Sequence, residues 1–409
     1  MHHLSKLDNG INLITIPIKS TKAVTVLALF PVGSRYENKK ISGASHFVEH
    51  MMFKGAVKRT NALEISRQLE SVGADYNAYT GGNYTGYYVK INGKQQELAY
   101  DILSDMLFYS KFDPVEVTKE KGVIIEEVRM YEDNPTYAVD QLINQVVFGD
   151  HPIGRDIGGT VGTVGKMTRK SLYNHYKKYY VPQNMVLVIS GAVPKKKQLN
   201  KYLEYFTKEK KGKVSSKRLV ESYKKYTWPK APIKLEKRVV VKKKKLDQAH
   251  LVMAFPGLKY TDKRVYALAA LLNILGSGMS SRLFVEVREK RGLAYMVHAK
   301  QNKFKDVGVV EIKAGLDPAR LGLALEVIIN ELKKIVKDGI TSKELKDTKS
   351  SVVGGMSLAI ENSSMQADWY AKQFWFNKDN TTIEQELANF KKVKIEEVTN
   401  QTPPEEVIE

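Results

Sequence analysis

Cysteine is absent from all 409 residues, which excludes a disulfide framework and is compatible with a reducing compartment. Long apolar runs are absent too. The stretches Val24 to Val32 and Ala267 to Leu275 are far shorter than the roughly 20 residues a membrane-spanning helix needs, so no membrane partner is expected. The first residues, Met1-His2-His3-Leu4-Ser5-Lys6-Leu7-Asp8-Asn9-Gly10, carry no apolar segment of signal-peptide kind and turn directly into a strand pattern. A cytoplasmic protein is the resulting expectation. Negative charge is the third deficit. Against 65 Lys and Arg stand 45 Asp and Glu, a net charge of +20, which raises nucleic-acid binding as a function class. The lysines concentrate, however, between Lys208 and Lys245, in runs such as Lys242-Lys243-Lys244-Lys245. Runs of that kind describe a solvated linker or strand edge; no nucleic-acid-binding module accompanies them, and no nucleic-acid partner is expected. A basic surface can instead steer acidic peptides.

The length is too great for one compact core and implies two domains, each large enough to bury its own. Strand-like Ala23-Val24-Thr25-Val26-Leu27-Ala28-Leu29-Phe30-Pro31 has an echo in Ala249-His250-Leu251-Val252-Met253-Ala254-Phe255-Pro256, each ahead of a helical segment, which suggests duplication. The first half reads as two strands, a helix over residues 46 to 50, and a second helix from about Asn61 to Val72. Two strands around Tyr76 to Ile91, a helix after Gln95, another after Asp113 and a strand near Met185 to Ser190 complete it. The expected class is α+β: two homologous α/β-sandwich domains, each a mixed, largely antiparallel sheet with helices packed on one face. The expected boundaries are 1–206, a hydrophilic linker over 207–236, and 237–409.

His46-Phe47-Val48-Glu49-His50 places two imidazoles one helical turn apart with a carboxylate between them. Two imidazoles suit zinc, and a hydrolytic zinc site takes three protein ligands and leaves the fourth position to water. A neighbouring carboxylate can accept that water's proton and deliver it to a leaving amine. The third ligand should come from another element. Asp113-Pro114-Val115-Glu116 has the composition of a helix start, with a cap, a proline at the first position and a glutamate at the third. Along that helix lie Glu120, Glu126 and Glu127. Seven residues are close to two full turns, so Glu120 and Glu127 project from one side while Glu126 is rotated by about 100° from its neighbour. Spacing makes the Glu120/Glu127 pair the better source of a ligand without choosing between them. Farther on, Gly276-Ser277-Gly278 is weak as a phosphate loop, because no strand precedes it and the remaining glycines are missing.

The motif His46 to His50, followed by Glu120-Lys121-Gly122-Val123-Ile124-Ile125-Glu126-Glu127, resembles the pitrilysin-type metallopeptidases, which include insulin-degrading enzyme and the mitochondrial processing peptidases. Phe47 to Gly55 and His151-Pro152-Ile153-Gly154-Arg155 are similar to family signatures as well. The resemblance implies that His46, His50 and Glu127 bind one Zn2+ per chain, that Glu49 is the general base, and that Glu120 supports the site. It also implies that Asn77-Ala78-Tyr79-Thr80 is an edge strand that pairs with a peptide substrate. The stretch Gly276 to Phe284 followed by Val287 to Tyr295 is similar to the family's C-terminal signature. There Arg288 and Tyr295 would approach the scissile peptide, where a cation and a phenol can hold a developing oxyanion.

The expected function is therefore a zinc-dependent endopeptidase acting on small or unfolded peptides in an enclosed chamber, working as a homodimer in which Arg288 and Tyr295 of one chain complete the site of the other. The alternative is a non-catalytic or partner-dependent subunit of a heterodimeric processing peptidase. Relatives of this kind continue past the point corresponding to Val398-Thr399-Asn400-Gln401 through a last helix and strand, whereas this sequence stops at Glu409, so a trimmed or rearranged second domain is expected.

Overall fold

The computed structural model describes residues 2–210, 212, 216–229, 238–377 and 381–401. The strands among them are β1 His3–Lys6, β2 Asn12–Pro17, β3 Ala23–Phe30, β4 Asp75–Thr80, β5 Thr85–Asn92, β6 Val186–Gly191, β7 Ala249–Gly257, β8 Ala294–Lys303 and β9 Gly308–Leu316. The helices that matter most below are α1 Ala44–Met52, α2 Ala62–Glu70, α3 Glu97–Tyr109, α4 Pro114–Asp133 and α5 Pro135–Phe148. They are followed by α6 Val161–Lys166, α7 Arg169–Tyr179, α8 Lys196–Thr207, α9 Ser216–Val220, α10 Val265–Gly276, α11 Leu321–Asp338, α12 Ser342–Ala359, α13 Ser363–Lys372, α14 Ile383–Lys391 and α15 Ile395–Thr399.

Two compact units result, and they interleave in sequence. The first comprises Met1–Asp133, Asp150–Lys224 and Ala359–Lys378; the second comprises Asn134–Gly149, Lys225–Leu358 and Asp379–Glu409. This differs from a division into consecutive stretches. Helix α5, early in the chain, belongs to the second unit, and α13, late in the chain, belongs to the first. The expected linker over 207–236 lies partly outside the described residues, and its described portion includes the short helix α9. The last expected segment, 402–409, also lies outside them.

The first unit is built on a six-stranded sheet in the order β1-β2-β6-β3-β5-β4, with β2 and β6 parallel and every other pair antiparallel. Strand β3 is apolar on both faces, as a strand covered on both sides must be. Its Val24, Val26, Ala28 and Phe30 enter the core with Phe47, Val48 and Met51 of α1 and Ala99, Leu103 and Met106 of α3. The opposite face carries α13, where Thr25 Oγ1 lies 2.8 Å from Ser363 Oγ. Helices thus cover both faces of this sheet, because leaving the second row of β3 in water would forfeit its burial.

In the second unit the described sheet is three-stranded and antiparallel throughout, in the order β7-β9-β8. Strands β3-β5-β4 of the first unit follow the same rule, with the last strand in sequence lying between the other two. That shared order, and the echo of β3 in β7, is the structural form of the duplication. One face of the second sheet packs Val297, Ala299, Ile312 and Ala314 against α10 and α11. On the other face, the buried Lys313 Nζ donates to Thr136 O at 2.6 Å and to Asp140 Oδ2 at 2.7 Å, both on α5.

Candidate metal centre

Helix α1 starts at Gly43, whose φ of 97° lies in the region that favours glycine; a Cβ there would stand 2.5 Å from the carbonyl oxygen of Gly158. Its first N–H groups are satisfied from outside the helix. Glu37 Oε2 accepts from Gly43 N at 2.7 Å and Oε1 from Ser45 N at 2.6 Å, the arrangement by which a carboxylate complements a helix N-terminus. Burial pushes the Glu37 carboxyl up to about 8, against those two donors. Ser45 Oγ also contacts Nε2 of the buried His175 at 3.0 Å. Helix α4 is opened by Asp113, whose Oδ1 accepts from Val115 N at 2.8 Å, with Pro114 at the first position.

The two helices meet, and Glu127 of α4 faces both histidines of α1. His50 Nε2 lies 3.3 Å from His46 Nε2, Glu127 Oε2 lies 3.4 Å from His50 Nε2, and it lies 3.8 Å from His46 Nε2. For zinc bound tetrahedrally at about 2.0–2.2 Å, simple geometry puts neighbouring donor atoms about 3.3–3.6 Å apart. The three separations are therefore close to the edges of one face of a coordination tetrahedron, and the donor set is one that zinc accepts. Burial, and then the neighbouring His50, push His46 down to about 4, so at neutral pH it offers a lone pair rather than a proton. Among the described residues this is the group of three whose ligand atoms converge to hold an ion.

Of the two glutamates left open by spacing, the structure separates the tasks. Glu127 points at the histidine pair, whereas the buried Glu120 accepts from His50 Nδ1 at 2.8 Å. That contact commits the His50 proton to Nδ1 and leaves Nε2 free to bind metal, the second-layer carboxylate–histidine arrangement of many zinc sites. The other Glu120 oxygen meets Lys54 Nζ at 2.7 Å. Burial works to raise Glu120, but the hydrogen bonds from His50 and Lys54 outweigh it and hold the carboxyl below its usual range. Glu126 points elsewhere and pairs with Arg129 at the surface.

Glu49 is partly buried beside these groups, and Thr80 Oγ1 donates to its Oε2. Burial raises the Glu49 carboxyl, while the Thr80 hydroxyl lowers it. Thr80 ends β4, which lies at the edge of the six-stranded sheet next to β5. Within the stretch Asn77 to Thr80 the side chains divide. Tyr79 donates from its hydroxyl to Asp368 Oδ1 of α13 at 2.6 Å, and the Asn77 side chain accepts from Ala78 N at 2.8 Å.

Arg288 and Tyr295 belong to the second unit. The structure brings them to one another: Arg288 Nη1 donates to the Tyr295 carbonyl at 2.7 Å, and its guanidinium lies 5.2 Å from the centre of the Tyr295 ring. Arg288 sits on a π-helical turn, Phe284–Glu289, and Tyr295, 73% exposed, on β8.

Sequence reasoning missed Lys54 as a partner of Glu120, Thr80 as a partner of Glu49, and Glu37 as the cap of α1. Only Lys54 had a readable signal, since it continues the four-residue spacing of His46 and His50.

Comparison with known proteins bears on the family and the fold. The family model "Insulinase (Peptidase family M16)" matches residues 13–161, and "Peptidase M16 inactive domain" matches residues 166–352. An uncharacterized zinc protease of Bacillus subtilis is 33% identical over 96% of this chain and 92% of its own length. Another from Streptomyces coelicolor is 33% identical over 96% of this chain and 84% of its own. A crystal structure of a protease from Helicobacter pylori superposes with a TM-score of 0.89 at 24% identity, covering 98% of this chain and 95% of that one, which bears on the fold. No helix among the described residues is long and apolar enough to cross a membrane. With family models matching both halves and a relative one-third identical along nearly its whole length, the chain belongs to peptidase family M16.

Proposed function

We propose that this chain is a zinc-dependent endopeptidase that hydrolyses small or unfolded peptides, with His46, His50 and Glu127 holding one zinc ion and Glu49 acting as general base. The observation that carries the reading is the near-tetrahedral spacing of three donor atoms, 3.3, 3.4 and 3.8 Å, with a carboxylate on the residue next to one of the ligands. When bound, zinc supplies Lewis acidity, making water acidic enough to react near neutral pH and polarising a peptide carbonyl.

The chain's own groups account for the rest. The Oε2 of Glu49 is held by Thr80, which leaves Oε1 to take a proton from attacking water and to return it to the leaving amine. Burial raises that carboxyl and so strengthens it as a base. Glu120 fixes the His50 ring. The edge strand β4, through Asn77, Ala78, Tyr79 and Thr80, offers main-chain pairing to an extended peptide, which is nearly indifferent to substrate sequence. A requirement for extended pairing favours unfolded substrates.

Arg288 and Tyr295 act as oxyanion-side donors in this reading, supplied by a second copy of the chain in a homodimer that encloses the substrate. Their mutual contact and the exposure of Tyr295 support a pair prepared to meet another surface.

The test is zinc content together with cleavage of a quenched peptide, before and after chelation, for the wild type and Glu49→Gln. The expected result is one zinc per chain in both, with turnover only in the wild type. Zinc-loaded wild type that cleaves nothing by itself would favour the alternative, a partner-dependent or non-catalytic subunit. For the dimer, mixing Glu49→Gln with Tyr295→Phe chains under conditions of subunit exchange should restore activity; no recovery would remove the sharing between copies.

A further inference from the structure

We propose that Lys54 is a positioning residue of the metal centre, acting through Glu120 on His50. The inference rests on the zinc-site reading above and adds a third link to it: Lys54 Nζ to Glu120 Oε2 at 2.7 Å, then Glu120 Oε1 to His50 Nδ1 at 2.8 Å, with His50 Nε2 turned to the ion.

The link follows from helical periodicity on two facing elements. His46, His50 and Lys54 are spaced by four and so share one stripe of α1 and its continuation. Glu120 and Glu127 are spaced by seven and share one side of α4. The higher-numbered glutamate meets the histidine pair and the lower-numbered one meets His50 and Lys54, so the two stripes run in opposite directions and interlock like rungs. Lys54 lies just past the last residue of α1, where fraying would be expected, yet its backbone is tied down. Its N–H donates to Met51 O at 3.2 Å. The next residue, Gly55, has φ 120°, and a Cβ there would stand 2.4 Å from Thr60 O. Gly55 O in turn accepts from Lys111 N at 3.1 Å. The turn that aims Lys54 back at α4 is therefore built into the chain.

An exposed lysine–glutamate pair would contribute little. Here the carboxylate side chain is only 5% exposed, and each of its oxygens has one of the two partners. A buried carboxylate needs a compensating cation. Lys54 supplies it at the oxygen that does not meet His50. With both oxygens engaged, the carboxylate plane is fixed, and the oxygen that orients His50 cannot rotate away. Without Lys54, Glu120 keeps a single polar partner, and its best response is to turn toward solvent and release His50. Loss of an outer partner of this kind typically weakens metal binding by about 10–100-fold.

The test uses full-length protein and zinc alone, titrated against a chromogenic chelator, for wild type, Lys54→Met, Lys54→Gln, Lys54→Arg, Glu120→Gln and the Lys54→Met/Glu120→Gln pair. Lys54→Met is expected to bind zinc about 10-fold or more weakly, Lys54→Arg to recover most of that loss, and the double variant to bind no worse than Glu120→Gln alone. Nitrogen NMR of the His50 ring in the zinc-free proteins should show its proton confined to Nδ1 in the wild type and shared between Nδ1 and Nε2 in Lys54→Met. Thermal unfolding of the zinc-free proteins controls for folding, and Lys54→Gln takes the place of Lys54→Met if the latter fails to fold. Wild-type affinity in Lys54→Met or Lys54→Gln, or losses that simply add in the double variant, would overturn the proposal. Zinc binding is read without any peptide. Zinc-loaded wild type without cleavage therefore defeats the endopeptidase reading and leaves this test intact, whereas wild type that takes up no zinc defeats both.

Discussion

Replacing Thr80 by valine removes one hydroxyl from the candidate active site and almost no volume. In the structure that hydroxyl donates to Oε2 of Glu49, and its position is set by a hairpin end with little freedom. Ser34 N donates to Gly81 O at 3.3 Å, Arg35 N to Gly82 O at 3.0 Å, and Thr85 Oγ1 to Val32 O at 2.9 Å. Gly33 lies so close beneath this turn that a Cβ would sit 2.0 Å from Gly81 O. A hydrogen bond to a charged group contributes roughly 1.5–3 kcal/mol. If all of it serves to hold the base in its reactive orientation, kcat falls by about 10–100-fold, since about 1.4 kcal/mol is a factor of ten. Thr80→Ser keeps the hydroxyl and should stay near wild type. There is a second signature. The Thr80 hydroxyl lowers the Glu49 carboxyl against burial, so its loss should move the acid limb of the kcat profile to higher pH. The assay is steady-state cleavage of a quenched peptide by zinc-saturated enzyme, with kcat and KM determined separately and metal content measured in parallel. A Thr80→Val enzyme within about twofold of wild-type kcat, or a Thr80→Ser enzyme equally impaired, would refute the assignment of the hydroxyl to the base.

Three further outcomes are expected. Gly43→Ala should destabilise the zinc-free protein by about 2–4 kcal/mol in urea unfolding, because it adds a left-handed backbone penalty to a Cβ 2.5 Å from Gly158 O; a change under about 1 kcal/mol would mean that the two segments can separate freely. Glu127→Gln should abolish the zinc-induced rise in unfolding midpoint, which for the wild type at a thousandfold excess over Kd corresponds to about 4 kcal/mol; an undiminished rise would place the ion elsewhere. Acid should unfold the chain partly through His175, which burial pushes down to about 3. The unfolded chain binds a proton at this histidine near pH 6.5 and the folded one does not, so its contribution is intact above that pH and is lost as pH falls toward 3, by up to about 4–5 kcal/mol. In His175→Gln the pH dependence of stability over that window should flatten; an unchanged profile would show that His175 titrates normally in the fold.

The two facing stripes, His46 with His50 on α1 and Glu120 with Glu127 on α4, were legible because they depend on period alone. Four residues in α1 and seven in α4 determine which side chains share a stripe, and no tertiary information is needed to pair the stripes once chemistry demands three donors. The division of labour between Glu120 and Glu127 was not legible from spacing, since both lie on the same side of α4 and differ only in which turn of α1 each one meets. Thr80 and Glu37 were out of reach for a different reason. Strand alternation says which face a threonine occupies but not what waits there, and cap rules look for a short polar side chain at the helix start, whereas Glu37 reaches α1 from several residues upstream across a turn.

The interleaving of the two units was hidden by signals that are correct locally. Asn134-Pro135 reads as the end of one helix and the capped start of the next, and Asn134 Oδ1 does accept from Thr136 N at 3.0 Å. Nothing in that pattern says that α5 joins the second unit, where the buried Lys313 bonds it to the sheet. A trace of the exchange is nonetheless present in the strands. Residues 23 to 30 are apolar at nearly every position, so a layer must cover each face, and the helices between residues 44 and 109 supply only one. Strand β9, by contrast, alternates, with Glu311 and Lys313 on one side of Ile312 and both buried. A buried lysine on a strand needs an anion and an acceptor from a covering element. The unpaired second row of β3 and the charged row of β9 are therefore two forms of one requirement, and each is met by a helix drawn from the other half of the sequence.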